Sequence, residues 1–212
     1  MVPVMVEGKP LGSVRERLLQ AADDLFYREG VNTVGIERIL ERAGVAKASL
    51  YSTFGSKDEL VRAYLETRSR ELRARIEKRI AGVDDPRERI LAVFDGFVDR
   101  VEEGSYYGCP FVRACAEAPP APNPARDVSE AFRTWRHDLF ARLAKEAGSH
   151  DPDTSARQMS ILYDGAAVGA SMHDGPAAAL AAREAVERLL DDHAGPSTNR
   201  KKRAPTRKAR TK

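Results

Sequence analysis

A chain of 212 residues with 42% hydrophobic and 32% charged side chains can bury one small module and one larger core, and it falls in the ordinary range for globular proteins. No apolar run reaches the ~18 residues of a membrane helix, and the opening MVPVMVEGKPLG lacks the basic start and long apolar core of a secretory signal, so a cytoplasmic location is expected. The net charge of +3 hides a split: Arg200, Lys201, Lys202, Arg203, Arg207, Lys208, Arg210 and Lys212 place eight cations in the tail, which leaves −5 on everything before it and restricts any specific nucleic-acid contact to a local patch.

Residues 1–12, with two prolines and two glycines, read as a flexible arm. Ser13 and Glu16 have the spacing of a capping box, which opens a helix with Val14, Leu18, Ala22, Leu25 and Phe26 on one face and Gly30 at its end. The VNTVG that follows suits a tight connection. Ile36, Ile39, Leu40 and Ala43 then recur at helical spacing, Gly44 permits a left-handed stop, and Ala46-Lys47-Ala48-Ser49-Leu50-Tyr51 starts another short helix. Two short helices joined so closely must cross steeply, which is a helix-turn-helix. Leu50 and Phe54 are expected to pack on the preceding helix, leaving Lys47, Ala48, Ser49, Tyr51, Ser52 and Thr53 outward. That face carries no carboxylate, since none lies between Glu41 and Asp58, and it can enter a major groove without repelling phosphates.

The stretch AGVAKASLYSTFGSKDEL resembles the N-terminal motif of the TetR family of bacterial transcriptional regulators, whose usual pattern is A-G-V-S-x-x-x-L-Y-x-x-F-x-S-K-x-x-L. The sequence departs from it at Ala46, where serine is frequent, and at Leu40, where alanine is frequent. The resemblance implies an all-α protein, an N-terminal three-helix DNA-binding domain (13–55) followed by a helical ligand-binding and dimerisation domain (56–194). It also points to Lys47, Ala48, Ser49, Tyr51 and Thr53 as the groove-facing residues. By their chemistry Lys47 and Ser49 can bond base edges or phosphates, Ala48 can touch a thymine methyl, and Tyr51 and Lys57 suit phosphate oxygens, with Glu37 and Arg38 as second-rank candidates.

Beyond the motif, Ser56 and Glu59 form another capping-box pair at the head of a long helix carrying Leu60, Tyr64, Leu65, Leu72, Ile76 and Ile80, which ends near Gly82. Pro86 starts a helix with Ile90, Phe94, Phe97, Val98 and Val101 in one stripe; EEGSYYGCPF breaks it, and Pro110 begins a short helix to about Glu117. After the proline-rich APPAPNPAR, helices are expected over roughly 124–147, 153–173 and 176–193, with no strand alternation and no internal repeat. The family resemblance implies an apolar pocket among these helices for a small-molecule effector, with Phe94, Phe97, Tyr107, Phe111, Trp135, Tyr163, Met172 and His173 as candidate lining and Asp164 as a further polar anchor. It implies too that the last two helices, rich in small residues (Gly165, Ala166, Gly169, Ala170, Ala178, Ala181, Ala182, Ala185), pair with their copies in a homodimer on double-stranded DNA.

Enzyme chemistry has little to stand on. His137, His150, His173 and His193 are scattered without HExxH or CxxC spacing, and no glycine-rich phosphate loop is present, so neither metal nor cofactor is expected. Two other readings stay open. Residues 195–212 read as a disordered basic tail that could hold DNA nonspecifically, and Cys109 and Cys115, six apart, could serve as a redox sensor.

Overall fold

The computed structural model describes residues 12–117, 123–172 and 174–193. Among them the chain forms α1 (Val14–Glu29), α2 (Ile36–Ala43), α3 (Lys47–Phe54), α4 (Lys57–Ile80), α5 (Pro86–Glu102), α6 (Pro110–Glu117), α7 (Pro124–Glu146), α8 (Pro152–Met172) and α9 (Pro176–His193), with no strand. The arm before Gly12, the basic tail and most of the proline-rich loop lie outside the described residues.

The helix starts follow their capping chemistry. At α1 the Ser13 hydroxyl accepts from the Glu16 amide and the Glu16 carboxylate returns the bond to the Ser13 amide at 2.7 Å, which holds that carboxyl below its usual range. At α4 only half of the expected box forms: the Ser56 Oγ accepts from the Glu59 amide at 3.1 Å. Asp85 and Asn123 cap α5 and α7, each followed by a proline at the first helical position, where the missing N–H is not needed.

Between α2 and α3 the turn depends on Gly44, which stands at φ 63°, ψ 43° and donates to Leu40 and Glu41 carbonyls. The Arg17 guanidinium of α1 reinforces it by donating to the carbonyls of Ala43 and Gly44, both at 3.3 Å. A Cβ at Gly44 would meet only Arg17 Nη1 at 3.8 Å, so space is available and the cost lies in the left-handed backbone. Gly44→Ala is therefore expected to lower stability by about 1 kcal/mol, read as a lower urea midpoint with unchanged slope.

Two apolar cores are stacked along the chain. One gathers Leu18, Phe26, Ile39 and Leu50 of the first three helices and Val34 of the α1–α2 connection around Leu60, Tyr64 and Leu65 of α4, and it also takes in Phe111 and Phe132. The apolar packing thus runs past Gly55, because the first two turns of α4 and one end of α6 and α7 close the small head. Phe111 and Phe132 stack there with ring centroids 4.2 Å apart. The second core joins Ile76 and Ile80 to Phe94, Phe97, Phe140, Met159, Tyr163, Val186 and Leu190. Helix α4 is buried at both ends, and between them it carries dense charge, with Leu72 packed against both cores. It and α7, which gives Phe132 to one core and Phe140 to the other, are the long elements common to both.

Candidate functional site

Helix α3 is attached to the head by little more than Leu50, which is fully buried, and Phe54, which lies under the Arg15 guanidinium. The rest of α3 is surface. Lys47, Ala48, Tyr51 and Ser52 are exposed, while Ser49 and Thr53 are half-buried. Thr53 turns its hydroxyl back onto the Ser49 carbonyl at 2.6 Å. Neither Gly35 before α2 nor Ala46 before α3 supplies a side-chain cap, and in α2 the Glu37 carboxylate turns back onto its own amide instead. Serine at position 46 could accept from a first-turn amide of α3, where the Ser49 amide already donates to the Ala46 carbonyl at 3.0 Å; Ala46 offers no such side chain, and a helix N-terminus favours an anion.

The charged residues around this surface are already paired. Lys47 Nζ lies 3.2 Å from Glu37 and Arg38 forks onto Glu29 at 2.6 and 2.9 Å. The Glu37 carboxyl is held below its usual range first by its own backbone amide and then by Lys47. All four side chains are substantially exposed, so these pairs are easily exchanged for other partners. Lys57 departs from its expected role at a phosphate. Its ammonium donates 2.6 Å to the Val31 carbonyl and sits 5.9 Å from the Phe26 ring centre, because the first residue of α4 lies against the α1–α2 connection. It positions that connection.

Matches to known proteins agree with this geometry over most of the chain. Residues 18–64 match the model of bacterial regulatory proteins of the tetR family, and residues 86–189 match the tetracyclin repressor-like C-terminal domain. The chain belongs to the TetR family. A TetR-family transcriptional regulator from Streptomyces coelicolor superposes with a TM-score of 0.81 at 32% identity, covering 85% of this chain and 96% of that one. A TetR transcriptional regulator from Streptomyces avermitilis gives 0.79 at 35% identity, covering 86% and 98%. Among curated relatives, the HTH-type transcriptional activator FasR of Mycolicibacterium smegmatis is 31% identical over 134 residues, which is 63% of this chain and 61% of that protein. This TetR-family chain is a DNA-binding transcriptional regulator with an N-terminal helix-turn-helix and a helical C-terminal part.

In the TetR-type body the expected pocket residues separate. Phe97 and Tyr163 border a cavity of about 140 Å³ between α4 and α5, with Leu72, Ile76 and Val93. Phe94 does not face it: it is fully buried, stacked on Phe140 and edge-on to Tyr163. Phe111 and Trp135 pack on Phe132 in the head core, with the Arg73 guanidinium over Trp135. Tyr107 is turned outward, edge-on to Tyr27 of α1 and under Arg28, because the 103–110 segment runs along α1 there. Met172 is 68% exposed on α8, so it is not a core or pocket wall within one chain. His173 lies outside the described residues. Asp164 is not a free anchor, since Arg136 and Arg133 hold its two oxygens at 2.7 and 3.0 Å.

A second, larger groove of about 300 Å³ lies between the end of α1, the middle of α4 and the 106–110 segment, bordered by Tyr27, Arg68, Leu72, Arg100, Tyr106 and Pro110. Of the body aromatics expected around a pocket, Tyr106 borders it, whereas Phe94, Phe97, Tyr107, Phe111, Trp135 and Tyr163 do not. The missed signal was Arg100: it stands in an apolar stripe three residues after Phe97 and beside Val101, where a charge is out of place in the helical pattern.

The cysteine reading loses ground. Burial pushes the Cys109 thiol up, against weaker opposition from the Val112 and Phe111 amides, so it is a poor thiolate. It sits at the head of α6, Cys115 lies within that helix, and six residues of helix separate Cα atoms by about 9 Å, too far for a disulfide.

Proposed function

We propose that this chain is a homodimeric regulator that reads a palindromic operator with Lys47, Ala48, Ser49, Tyr51 and Thr53 of α3 and releases it, most plainly as a repressor, when a small effector occupies the body. The observation that carries the DNA-reading part is the exposed face of α3, a helix with no carboxylate of its own, whose start and that of α2 have no side-chain cap. Phosphate oxygens at those amides would fix the register, and Lys47 would leave Glu37 for a base edge or phosphate. Glu37 and Arg38 then stand at the rim, where their present partners are exchanged. FasR is named as an activator, and the sign of regulation depends on where the operator lies relative to the promoter rather than on this face.

The dimer reading rests on an exposed apolar stripe. Ile161 (65% exposed), Gly165, Val168 (42%) and Met172 (68%) follow one another on α8 at helical spacing, and Leu180 (45%) stands exposed on α9. Small residues serve partly within the chain: Ala166, Ala179 and Ala182 are buried, and a Cβ at Gly169 would come within 3.0 Å of the Ala178 methyl. The remaining face fits a two-fold pairing of α8 and α9 with their copies. Light scattering at micromolar concentration is expected to give twice the 23.4 kDa chain mass, and a monomer would remove the dimer together with the palindrome.

Coupling follows from α4 and its neighbours. Arg68 on α4 is paired with Asp23 of α1 and lies over the Tyr27 ring at 4.1 Å, and burial raises the Asp23 carboxyl against the opposing Arg68 charge. Arg113 of α6 donates to the Tyr27 and Arg28 carbonyls at the end of α1, both at 3.3 Å. An occupant that shifts α4 or the 103–110 segment therefore moves the head and changes the spacing of two recognition helices. A panel of apolar and aromatic compounds is expected to include ligands that raise the unfolding temperature and release DNA; a panel that does neither would end the effector reading.

A further inference from the structure

Arg100 is the unexplained charge of the body. Its guanidinium is enclosed between the Phe97 and Tyr106 rings, 5.0 and 5.2 Å from their centres, and its Nε is buried without a hydrogen-bond partner. The titratable groups that act on it electrostatically are the phenols of Tyr163, Tyr106 and Tyr27 and the Cys109 thiol, none of them a carboxylate. Tyr106 cannot serve as its anion: burial raises that phenol, whose proton is donated to the Ala167 carbonyl at 3.1 Å. Carboxylates do border the surrounding space, but Glu103 is engaged by Arg75 at 3.1 Å and Asp99 by Arg79, while Glu71 is exposed on α4. Arg136, which is fully buried where Arg100 is half-buried, has its carboxylate in Asp164. Enclosing a cation among aromatic faces without a counter-ion is costly unless something else completes it.

Arg100 also occupies a particular place. It borders both the 140 Å³ cavity between α4 and α5 and the 300 Å³ groove under Tyr27, and Leu72 and Arg75 are likewise shared, so the two spaces meet at this residue. One side offers Ile76, Val93 and Phe97 as apolar wall, and the other offers Tyr27 of α1 and the Tyr106–Pro110 segment. We infer that the effector is a carboxylate-bearing molecule with an aromatic or aliphatic body, its carboxylate forked onto Arg100 and its body laid into the adjoining apolar space. This rests on the effector reading above and narrows it. A planar guanidinium matches a carboxylate with two parallel hydrogen bonds, which an amide of the same shape cannot reproduce. Seated there, the ligand touches α1 through Tyr27 and α4 through Leu72, the two helices whose relation sets the head.

The test compares benzoate, 3-phenylpropionate and octanoate with their own primary amides, using calorimetric titration and thermal shift on the full-length protein, followed by release of a bound operator fragment. At least one acid is expected to bind roughly tenfold or more tighter than its amide and to release DNA. Arg100→Met, which keeps an apolar stem of similar reach, is expected to bring the pair to within about twofold, and Arg100→Lys is expected to restore part of the preference. Cooperative thermal unfolding reports that each variant is folded, and the acid–amide comparison in the unchanged protein needs no variant. Amides binding and releasing DNA as well as the acids would overturn the Arg100 assignment while leaving the effector reading in place. Acid preference surviving in Arg100→Met would equally overturn it by putting the anion elsewhere. Absence of any binding or release by either series would remove both.

Discussion

Lys47→Ala and Tyr51→Ala are each expected to lower operator affinity by roughly 30-fold or more while leaving the fold intact. The magnitude follows from symmetry: a base or phosphate contact carries a modest energy, but a dimer loses it in both half-sites at once. Stability should hold because both side chains are exposed and the Lys47–Glu37 pair is solvated. Gel-shift or fluorescence anisotropy titration at fixed salt would measure the loss, beside thermal unfolding as the control. Unchanged affinity in both variants would place DNA reading somewhere other than α3.

The largest stability effect is expected at Asp164. Arg136 is 1% exposed and its charge is answered by Asp164 at 2.7 Å, while its aliphatic and guanidinium surfaces pack against Tyr163 and Phe132. Asp164→Ala leaves a buried cation with no partner, a defect that costs about 3 kcal/mol or more. At this chain length that corresponds to a fall in Tm of roughly 6–12 °C. Arg136→Met removes the charge together with its need, and Asp164 still has Arg133 at 3.0 Å, so the loss should be distinctly smaller. Equal losses in the two variants would show that packing of the arginine stem, rather than the uncompensated charge, governs the site.

The helices were legible because their signals are local. Ser13 with Glu16, Gly44, Pro86, Pro110 and the apolar stripes on α5 and α7 act within one or two turns, and the structure places each element close to where those residues imply. The exposed face of α3 was legible for the same reason. What periodicity could not give was the partner of each buried side. Phe94, Phe97 and Phe111 have the same character in sequence, yet they divide among a stacked core, a cavity wall and the head–body junction, which depends on contacts between distant helices. Met172 reads as core by chemistry but lies on an exposed stripe. Lys57 reads as a phosphate ligand until the Val31 carbonyl is seen beside it. Small residues on α8 and α9 were expected to serve pairing with a second copy, and within the chain Gly169 and Ala178 serve the α8–α9 contact. Arg100 and the Arg136–Asp164 pair were visible as charges within apolar stripes, but the side of the helix on which each would find, or lack, a counter-ion is a property of packing alone.

The central claim, that α3 in a two-fold dimer reads a defined DNA sequence, is tested most directly by selecting bound fragments from a random DNA pool at about 0.15 M salt, with the full chain and a version ending at Gly195 in parallel. Recovery of the same palindrome by both is the predicted result, with the basic tail an accessory to affinity. Retention of DNA without sequence preference, or retention only when residues 196–212 are present, would contradict the account and make the tail the DNA-binding part.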